Sequence, residues 1–205
     1  LNSVENTVSF FVDSKKPRIT KTSKEEFTNG NFKIEFIEEN PKNLALKYVV
    51  SGDIKTENLN LNECIKEKAK YFCEFNVNLN EFNGQIIKYW FELEDIAGRI
   101  IKGSQVSSKV DITLPKILND DFWSQGIIRG NKYIYFDLLI EEKNFKEVSY
   151  IDNNEPEKQK ILCSSLRNER CKRKVTFTRG AHVLDVKVID KAGNSITERI
   201  EFDVD

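Results

Sequence analysis

The chain has 205 residues, and its 32 lysines and arginines nearly balance its 33 aspartates and glutamates, for a net charge of -1. That balance gives no overall attraction to nucleic acid or to an anionic membrane surface. No apolar run approaches the roughly 18 residues that a membrane helix needs. We therefore expect a segment that neither binds nucleic acid nor inserts into a membrane.

An internal repeat organises the chain. Residues 95–99 read Asp-x-Ala-Gly-Arg and residues 190–194 read Asp-x-Ala-Gly-Asn, 95 positions apart, and each follows a strand-like alternating segment. The glycine supplies the positive φ that a short hairpin loop needs. The repeat predicts two domains, at 14–111 and 112–205.

A second repeated motif marks the domain junctions. Val-Asp, three residues, then Pro-x-Ile occurs at 12–19 and at 110–117, and Val-Asp recurs at 204–205. Proline fixes φ and lacks an amide donor, so it suits the start of an edge strand. We interpret residues 1–13 as the last strand of a preceding domain or a linker. Junctions this short predict a semi-rigid array that continues beyond both ends.

Alternating apolar segments follow the same order in both repeats. In the first they lie at 32–36, 44–50 and 74–79, and in the second at 133–138, 148–151 and 175–177. Helical periodicity is limited to one or two turns at 65–71. About seven short strands per repeat, separated by turn residues, are typical of an immunoglobulin-like β-sandwich. The predicted fold class is all-β, with two tandem immunoglobulin-like sandwiches.

The cysteines form one close pair in each repeat, Cys64 with Cys73 and Cys163 with Cys171. Residues eight or nine apart can be bridged across a short loop if their Cα atoms come within about 7 Å. A zinc site would need Cys-x-x-Cys spacing, which is absent, and more than one histidine. We predict one short-range disulfide per domain and hence a location outside the cytoplasm. The alternative is four free thiols, which would remove that inference.

The cysteine pair, the alternating strands, the Asp-x-Ala-Gly-Asn turn and the Val-Asp-x-x-x-Pro-x-Ile junction together resemble tandem immunoglobulin-like domains of archaeal and bacterial cell-surface proteins. The resemblance is greatest to archaeal surface-layer (S-layer) and adhesin-type proteins, and it covers nearly the whole chain. It implies a structural segment of a surface lattice, stalk or spacer at the cell surface or cell wall. Its partners would be other copies of the chain or neighbouring domains. The alternative is an adhesin-type module that binds a glycan or a protein. Arg99 replaces the asparagine of the turn in the first copy.

No catalytic constellation is apparent. His182 is the single histidine, and its alternation with Leu184 and Val186 places it on an apolar face. The chain has no nucleophile elbow, no phosphate-binding glycine loop and no carboxylate pair that spacing alone would bring together. We predict that this is not an enzyme and that it needs no cofactor.

Four aspartates leave a calcium alternative open. Asp13 and Asp111 lie at the junctions, and Asp95 and Asp190 lie at the hairpin turns. Carboxylates gathered at a domain junction can bind Ca²⁺. Turn aspartates more often accept hydrogen bonds from nearby backbone amides. We favour this capping role and keep calcium as the alternative.

Trp90 is the candidate contact residue. At the repeat offset it matches Asp185, whereas its neighbours Tyr89 and Phe91 match apolar residues. An outward-facing tryptophan on a sheet indicates an interface. The alternative is that the indole packs flat on lysine stems of neighbouring strands.

A basic cluster follows the third cysteine, with members Arg167, Arg170, Lys172, Arg173 and Lys174. It could contact an acidic partner or a polysaccharide. The more common reason for such charges is protection of an exposed edge strand.

Overall fold

A computed structural model describes residues 13–128 and 131–204. The described residues form two compact units, one of residues 13–25 and 30–109 and the other of residues 26–29, 110–128 and 131–204. The interpretation of residues 1–13 as the last strand of a preceding domain or a linker falls, except for Asp13, outside the described part, as does Asp205. Across that part no helix has the length and hydrophobicity of a membrane span.

The first unit is a two-sheet β-sandwich. One sheet has the order β1-β3-β7-β6, and the other has the order β10-β8-β4-β5, with β9 beside β8. Two single-turn 3-10 helices, Leu61–Glu63 and Asn80–Phe82, lie between strands. The strands are β1 (Arg18–Thr22), β3 (Asn31–Ile37), β4 (Pro41–Val50), β5 (Asp53–Leu59), β6 (Ile65–Glu67), β7 (Lys70–Asn76), β8 (Ile86–Asp95), β9 (Ile100–Lys102) and β10 (Val106–Val110); β2 (Phe27–Thr28) groups with the second unit.

Alternation along the strands builds the core of the first unit. Phe32 and Phe36 of β3 are buried, as are Tyr89, Phe91 and Leu93 of β8, as the repeat predicted. The rings of Phe32 and Tyr89 meet edge to face at 4.8 Å between centroids. Burial of each such side chain stabilises the fold by about 1.5–3 kcal/mol.

The second unit repeats the two-sheet arrangement. In one sheet β13 pairs with β11, β12 and β16, and the other sheet has the order β15-β14-β17-β18. The strands are β11 (Lys116–Ile117), β12 (Trp123–Ile128), β13 (Asn131–Glu141), β14 (Phe145–Asp152), β15 (Gln159–Cys163), β16 (Arg170–Val175), β17 (Gly180–Asp190) and β18 (Ser195–Val204). Its core combines Phe136 and Leu138 of β13 with Leu184, Val186 and Val188 of β17.

Two details differ from the sequence expectations. Cys73 lies within β7 and Cys171 within β16, so these strands begin before the segments 74–79 and 175–177. The buried positions Tyr71, Cys73 and Phe75 continue one alternation, which explains the earlier start. The helical turns expected at 65–71 are absent. A turn with positive φ at Lys68 connects β6 to β7 there instead.

Both predicted disulfides are confirmed, and they pair all four cysteines of the chain. The Cα atoms of Cys64 and Cys73 are 4.3 Å apart, and those of Cys163 and Cys171 are 5.8 Å apart. The second bridge joins β15 of one sheet to β16 of the other. Closing a loop of this length stabilises each unit by about 2–3 kcal/mol through the entropy of the unfolded chain.

Candidate functional site

Each unit gathers three carboxylates at one place. Within each group, one oxygen of every residue lies within 4.8 Å of the others. We call the groups the first and second acidic clusters: Asp13, Glu38 and Asp95, and Asp111, Glu142 and Asp190. The four aspartates are those that the sequence singled out. Their meeting was kept open as the calcium alternative, although spacing alone gave no reason to expect it.

The hairpin turns position the first aspartate of each cluster. Asp95 ends β8 and Asp190 ends β17, and the glycine three residues later has φ of +78° and +94°, respectively. This turn lets the amides of Arg99 and Asn194 each donate to an aspartate Oδ1 at 2.8 Å. The capping role that we favoured is therefore present in both turns.

The glutamates come from a repeated loop that the sequence analysis missed. Glu38 follows β3 and Glu142 follows β13, and each begins a Glu-x-Asn sequence. Their Oε1 atoms accept hydrogen bonds from the amides of Asn40 and Asn144 at 2.9 and 2.6 Å. The carbonyls of the same asparagines accept from the amide that follows the hairpin aspartate, at 3.1 and 2.8 Å. The recurrence of Glu-x-Asn directly after equivalent strands was the signal available in the sequence.

The residue that closes the hairpin differs between the clusters. In the first, Arg99 donates through Nε to Asp95 Oδ2 at 2.7 Å and through Nη2 to Asp13 Oδ1 at 2.9 Å. In the second, Asn194 Nδ2 donates to Asp190 Oδ2 at 2.7 Å and to the carbonyl of Asp111 at 2.8 Å. With all carboxylates ionised, three negative charges and one guanidinium give the first cluster -2, and three negative charges alone give the second -3.

The carboxylate pKa values shift in opposite directions in the two clusters. Burial would raise the pKa of Asp95, but the hydrogen bonds and positive charge of Arg99 outweigh it and lower that pKa. In the second cluster, burial raises the pKa of Asp190, and the charge of Asp111 adds to the effect. Burial likewise raises the pKa of Glu142, with contributions from Asp190 and Asp111. A buried carboxylate without a cation favours its neutral form.

The geometry of both clusters fits a divalent cation. Ca²⁺ takes oxygen ligands at about 2.3–2.6 Å, so oxygens within 4.8 Å of one another can share one ion. In the first cluster the side chain of Asp13 is 7% exposed, and its Oδ2 is buried without a hydrogen-bond partner among the described residues. That oxygen is free to bind a ligand.

The repeat position of Trp90 suggested an exposed side chain, but the structure buries it. The residue is 5% exposed, and its Nε1 donates to Glu92 Oε1 at 3.0 Å. Lys102 Nζ lies 4.1 Å from the ring centroid, and Lys47 is opposite Trp90 in the strand register. The indole therefore packs among lysine side chains, the alternative to an outward interface. It offers little surface to a partner.

His182 packs on an apolar face, as predicted, at 5.1 Å from the ring of Phe177 and 5.4 Å from that of Phe202. The sequence gave no sign of its polar partners. Nδ1 lies 2.6 Å from Asp152 Oδ2, and Nε2 lies 2.9 Å from the carbonyl of Thr178. Because a carbonyl only accepts, Nε2 carries a proton. These contacts account for the histidine as a buried structural group.

Comparisons with known proteins concern the fold alone. No protein-family model and no curated protein matches the sequence. Among solved structures, the FN1–FN3 domains of chicken CNTN1 match with a TM-score of 0.51 at 10% identity, over 91% of this chain. Fibronectin(III)-like modules of Clostridium thermocellum CbhA match with a TM-score of 0.43 at 10% identity, over 92% of this chain and 94% of that one.

The chain spans 64% of the CNTN1 fragment. No sequence match supports the expected likeness to archaeal surface-layer proteins. The likeness to CNTN1, together with the sheet orders, places both units in the fibronectin III and immunoglobulin-like class of β-sandwiches.

Proposed function

We propose that the chain is a structural segment of an extracellular protein, serving as a stalk, spacer or surface-layer element. The observation that carries the proposal is that the same two kinds of cross-link, one covalent and one polar, occur in both units. Every unit has one short disulfide and one acidic cluster, built from equivalent residues. Disulfides persist in oxidising compartments, which supports a location outside the cytoplasm.

The acidic clusters suit a mechanical role because they tie the entry of each unit to its last hairpin. In the first unit Arg99 holds Asp13, five residues before β1. In the second, the side-chain amides of Asn144 and Asn194 hold Asp111, five residues before β11, at 2.6 and 2.8 Å. Tension on the entering segment would load these bonds before it reached the strands.

Calcium is the cation that we propose for the clusters. The ligands are all oxygens, the three carboxylates can reach one ion, and Asp13 Oδ2 is free to coordinate. The second cluster has the larger negative charge and has no guanidinium, so we expect it to bind more tightly. A bound Ca²⁺ would replace the missing positive charge there and would stiffen the entry of the unit.

The state of the cysteines in natively produced protein tests the location. The protein is denatured, alkylated and weighed with and without reductant, and the modified residues are mapped. Two disulfides, Cys64–Cys73 and Cys163–Cys171, agree with an extracellular segment. Four alkylated thiols without reductant contradict it.

Self-association separates the structural roles. A lattice element should form ordered assemblies unaided or with Ca²⁺, which electron microscopy and light scattering would detect. A stalk or spacer should stay monomeric under the same conditions. An adhesin-type segment, the second candidate function, should also stay monomeric and should bind a surface ligand. A basic surface on the second unit favours this candidate.

A further inference from the structure

A concave basic surface lies beside the disulfide of the second unit. The space it encloses is about 560 Å³. Its lining residues are Cys163, Ser165, Arg167, Asn168, Arg170 and Lys172. All of them except the cystine offer hydrogen-bond donors, and three carry a positive charge.

A tight hairpin shapes this surface. Asn168 and Glu169 both have positive φ, 49° and 60°. The amides and carbonyls of Arg167 and Arg170 exchange two hydrogen bonds of 3.0 Å across them. Two consecutive residues with positive φ are the mark of a two-residue hairpin turn. The hairpin sets Arg167 on the arm opposite Arg170, so that cations line the space from both arms.

Local carboxylates do not neutralise these cations. Asp137 pairs with both Arg170, at 2.7 Å, and Lys172, at 3.1 Å, so one negative charge meets two positive charges. Arg167 makes no ion pair with any residue that the structure describes. Glu169, in the turn, is the other nearby carboxylate in the sequence. Arg173 and Lys174 continue the positive charge along β16.

The excess charge beside this pair of strands is not a requirement of the fold, since the equivalent register position of the first unit lacks it. The register places Asp137 opposite Lys172 beside the pair Leu138 and Cys171. The equivalent pair in the first unit is Lys33 opposite Glu74, joined one to one at 3.0 Å. Edge protection explains lysines on β16, which pairs only with β13 among the described strands. It does not explain Arg167, which lies before the strand and lines a concavity.

We propose that this surface binds an acidic polysaccharide through its carboxylate or sulfate groups. Arginine guanidinium groups bind such oxyanions with paired, charge-assisted hydrogen bonds. A protein partner is the poorer fit, because protein interfaces are built around large apolar and aromatic residues, and apart from the disulfide-bonded Cys163 the lining of this surface is polar or charged. The proposal goes beyond the structural role and does not depend on it.

Binding of defined polymers to the full chain tests the proposal. The probes are polygalacturonate for the carboxylate, dextran sulfate for the sulfate, neutral dextran and polyglutamate, each measured by titration calorimetry at two salt concentrations. We expect binding of at least one acidic polysaccharide, weaker at higher salt, and no binding of neutral dextran. Which of the two binds identifies the anionic group.

The variant Arg167→Gln/Lys172→Gln should weaken that binding about tenfold or more, since two charged contacts are lost. The control Lys88→Gln/Lys109→Gln removes the same charge from exposed positions of the first unit and should leave binding unchanged. Hydrogen exchange of β13 and β14 shows that the first variant keeps its fold. Equal weakening by both variants, equal binding of polyglutamate, or no binding of either acidic polysaccharide would overturn the proposal.

Discussion

Replacing Asn194 with arginine should give the second acidic cluster the internal cation that the first one has. Asn194 and Arg99 occupy the same place in the two hairpin turns, and both donate to the aspartate that begins the turn, at 2.7 Å. A guanidinium at position 194 would reach Asp190 and Asp111 as Arg99 reaches Asp95 and Asp13. The net charge of the cluster would change from -3 to -2.

The gain in stability follows from the hydrogen bonds exchanged. Two bonds from the guanidinium to carboxylates contribute about 1.5–3 kcal/mol each, and the two lost asparagine bonds contribute about 0.5–1.5 and 1.5–3 kcal/mol. Ordering the longer side chain costs about 1 kcal/mol. The variant should therefore gain at most about 0.5 kcal/mol at pH 7. The reverse change, Arg99→Asn, leaves the three carboxylates of the first cluster without a cation and should destabilise the first unit, by less than the loss of a fully buried pair because Arg99 is 28% exposed.

The same substitution should also change how the stability of the second unit depends on pH. The raised pKa values of Asp190 and Glu142 mean that their contribution is present in full below their ordinary values of 3.8 and 4.5 and is lost as pH rises through the folded-state pKa. The lowered pKa of Asp95 gives stability that is present above 3.8 and is lost as pH falls through the folded-state pKa. Asn194→Arg should give the second unit the response of the first.

Hydrogen exchange read by mass spectrometry resolves the two units, through peptides of β8 in one and of β17 in the other. Exchange is measured in urea at pH 5 and pH 7, after correction for the intrinsic pH dependence of exchange. The same samples are titrated with Ca²⁺. We expect Asn194→Arg to slow exchange in β17 slightly at pH 7 and to weaken Ca²⁺ binding by the second cluster to the level of the first, with β8 unchanged. A variant that is less stable at pH 7, with the acid response of the wild type, would refute the assignment of charge to this cluster.

Three further changes test other parts of the structure. Cys163→Ser/Cys171→Ser should lower the unfolding free energy of the second unit by about 2–3 kcal/mol and leave the first unit unchanged in a urea titration. Trp90→Ala should destabilise the first unit by about 3–5 kcal/mol as a buried aromatic truncation without changing self-association; loss of assembly in a folded variant would restore Trp90 as a contact residue. Asp152→Asn removes the carboxylate beside His182 and should destabilise the second unit by about 1–3 kcal/mol, measured by the same titration, whereas a neutral effect would show that the pair is not needed.

Much of the fold could be predicted because it depends on local pattern. The alternation around Val186 and Val188, and its copy around Phe91 and Leu93, placed the buried faces correctly, since side chains on a strand alternate by geometry. The disulfides followed from repeated close spacing. Trp90 was misplaced because alternation says which side of a sheet a residue takes, and not whether long side chains such as Lys102 cover that side.

The acidic clusters show which part of the site could not be predicted from the sequence. Asp95 and Asp190 were visible because a turn is a local motif, whereas Glu38 and Glu142 lie 57 and 48 positions before them and join only when the sheets pack. Once they meet, a single residue decides the electrostatics. Arg99 supplies a positive charge to its own cluster, so that cluster gains less from a bound ion. Asn194 donates to one carboxylate and one backbone carbonyl and brings no charge, so protons or a cation stabilise its carboxylates, and we infer that calcium would act most strongly on the second unit.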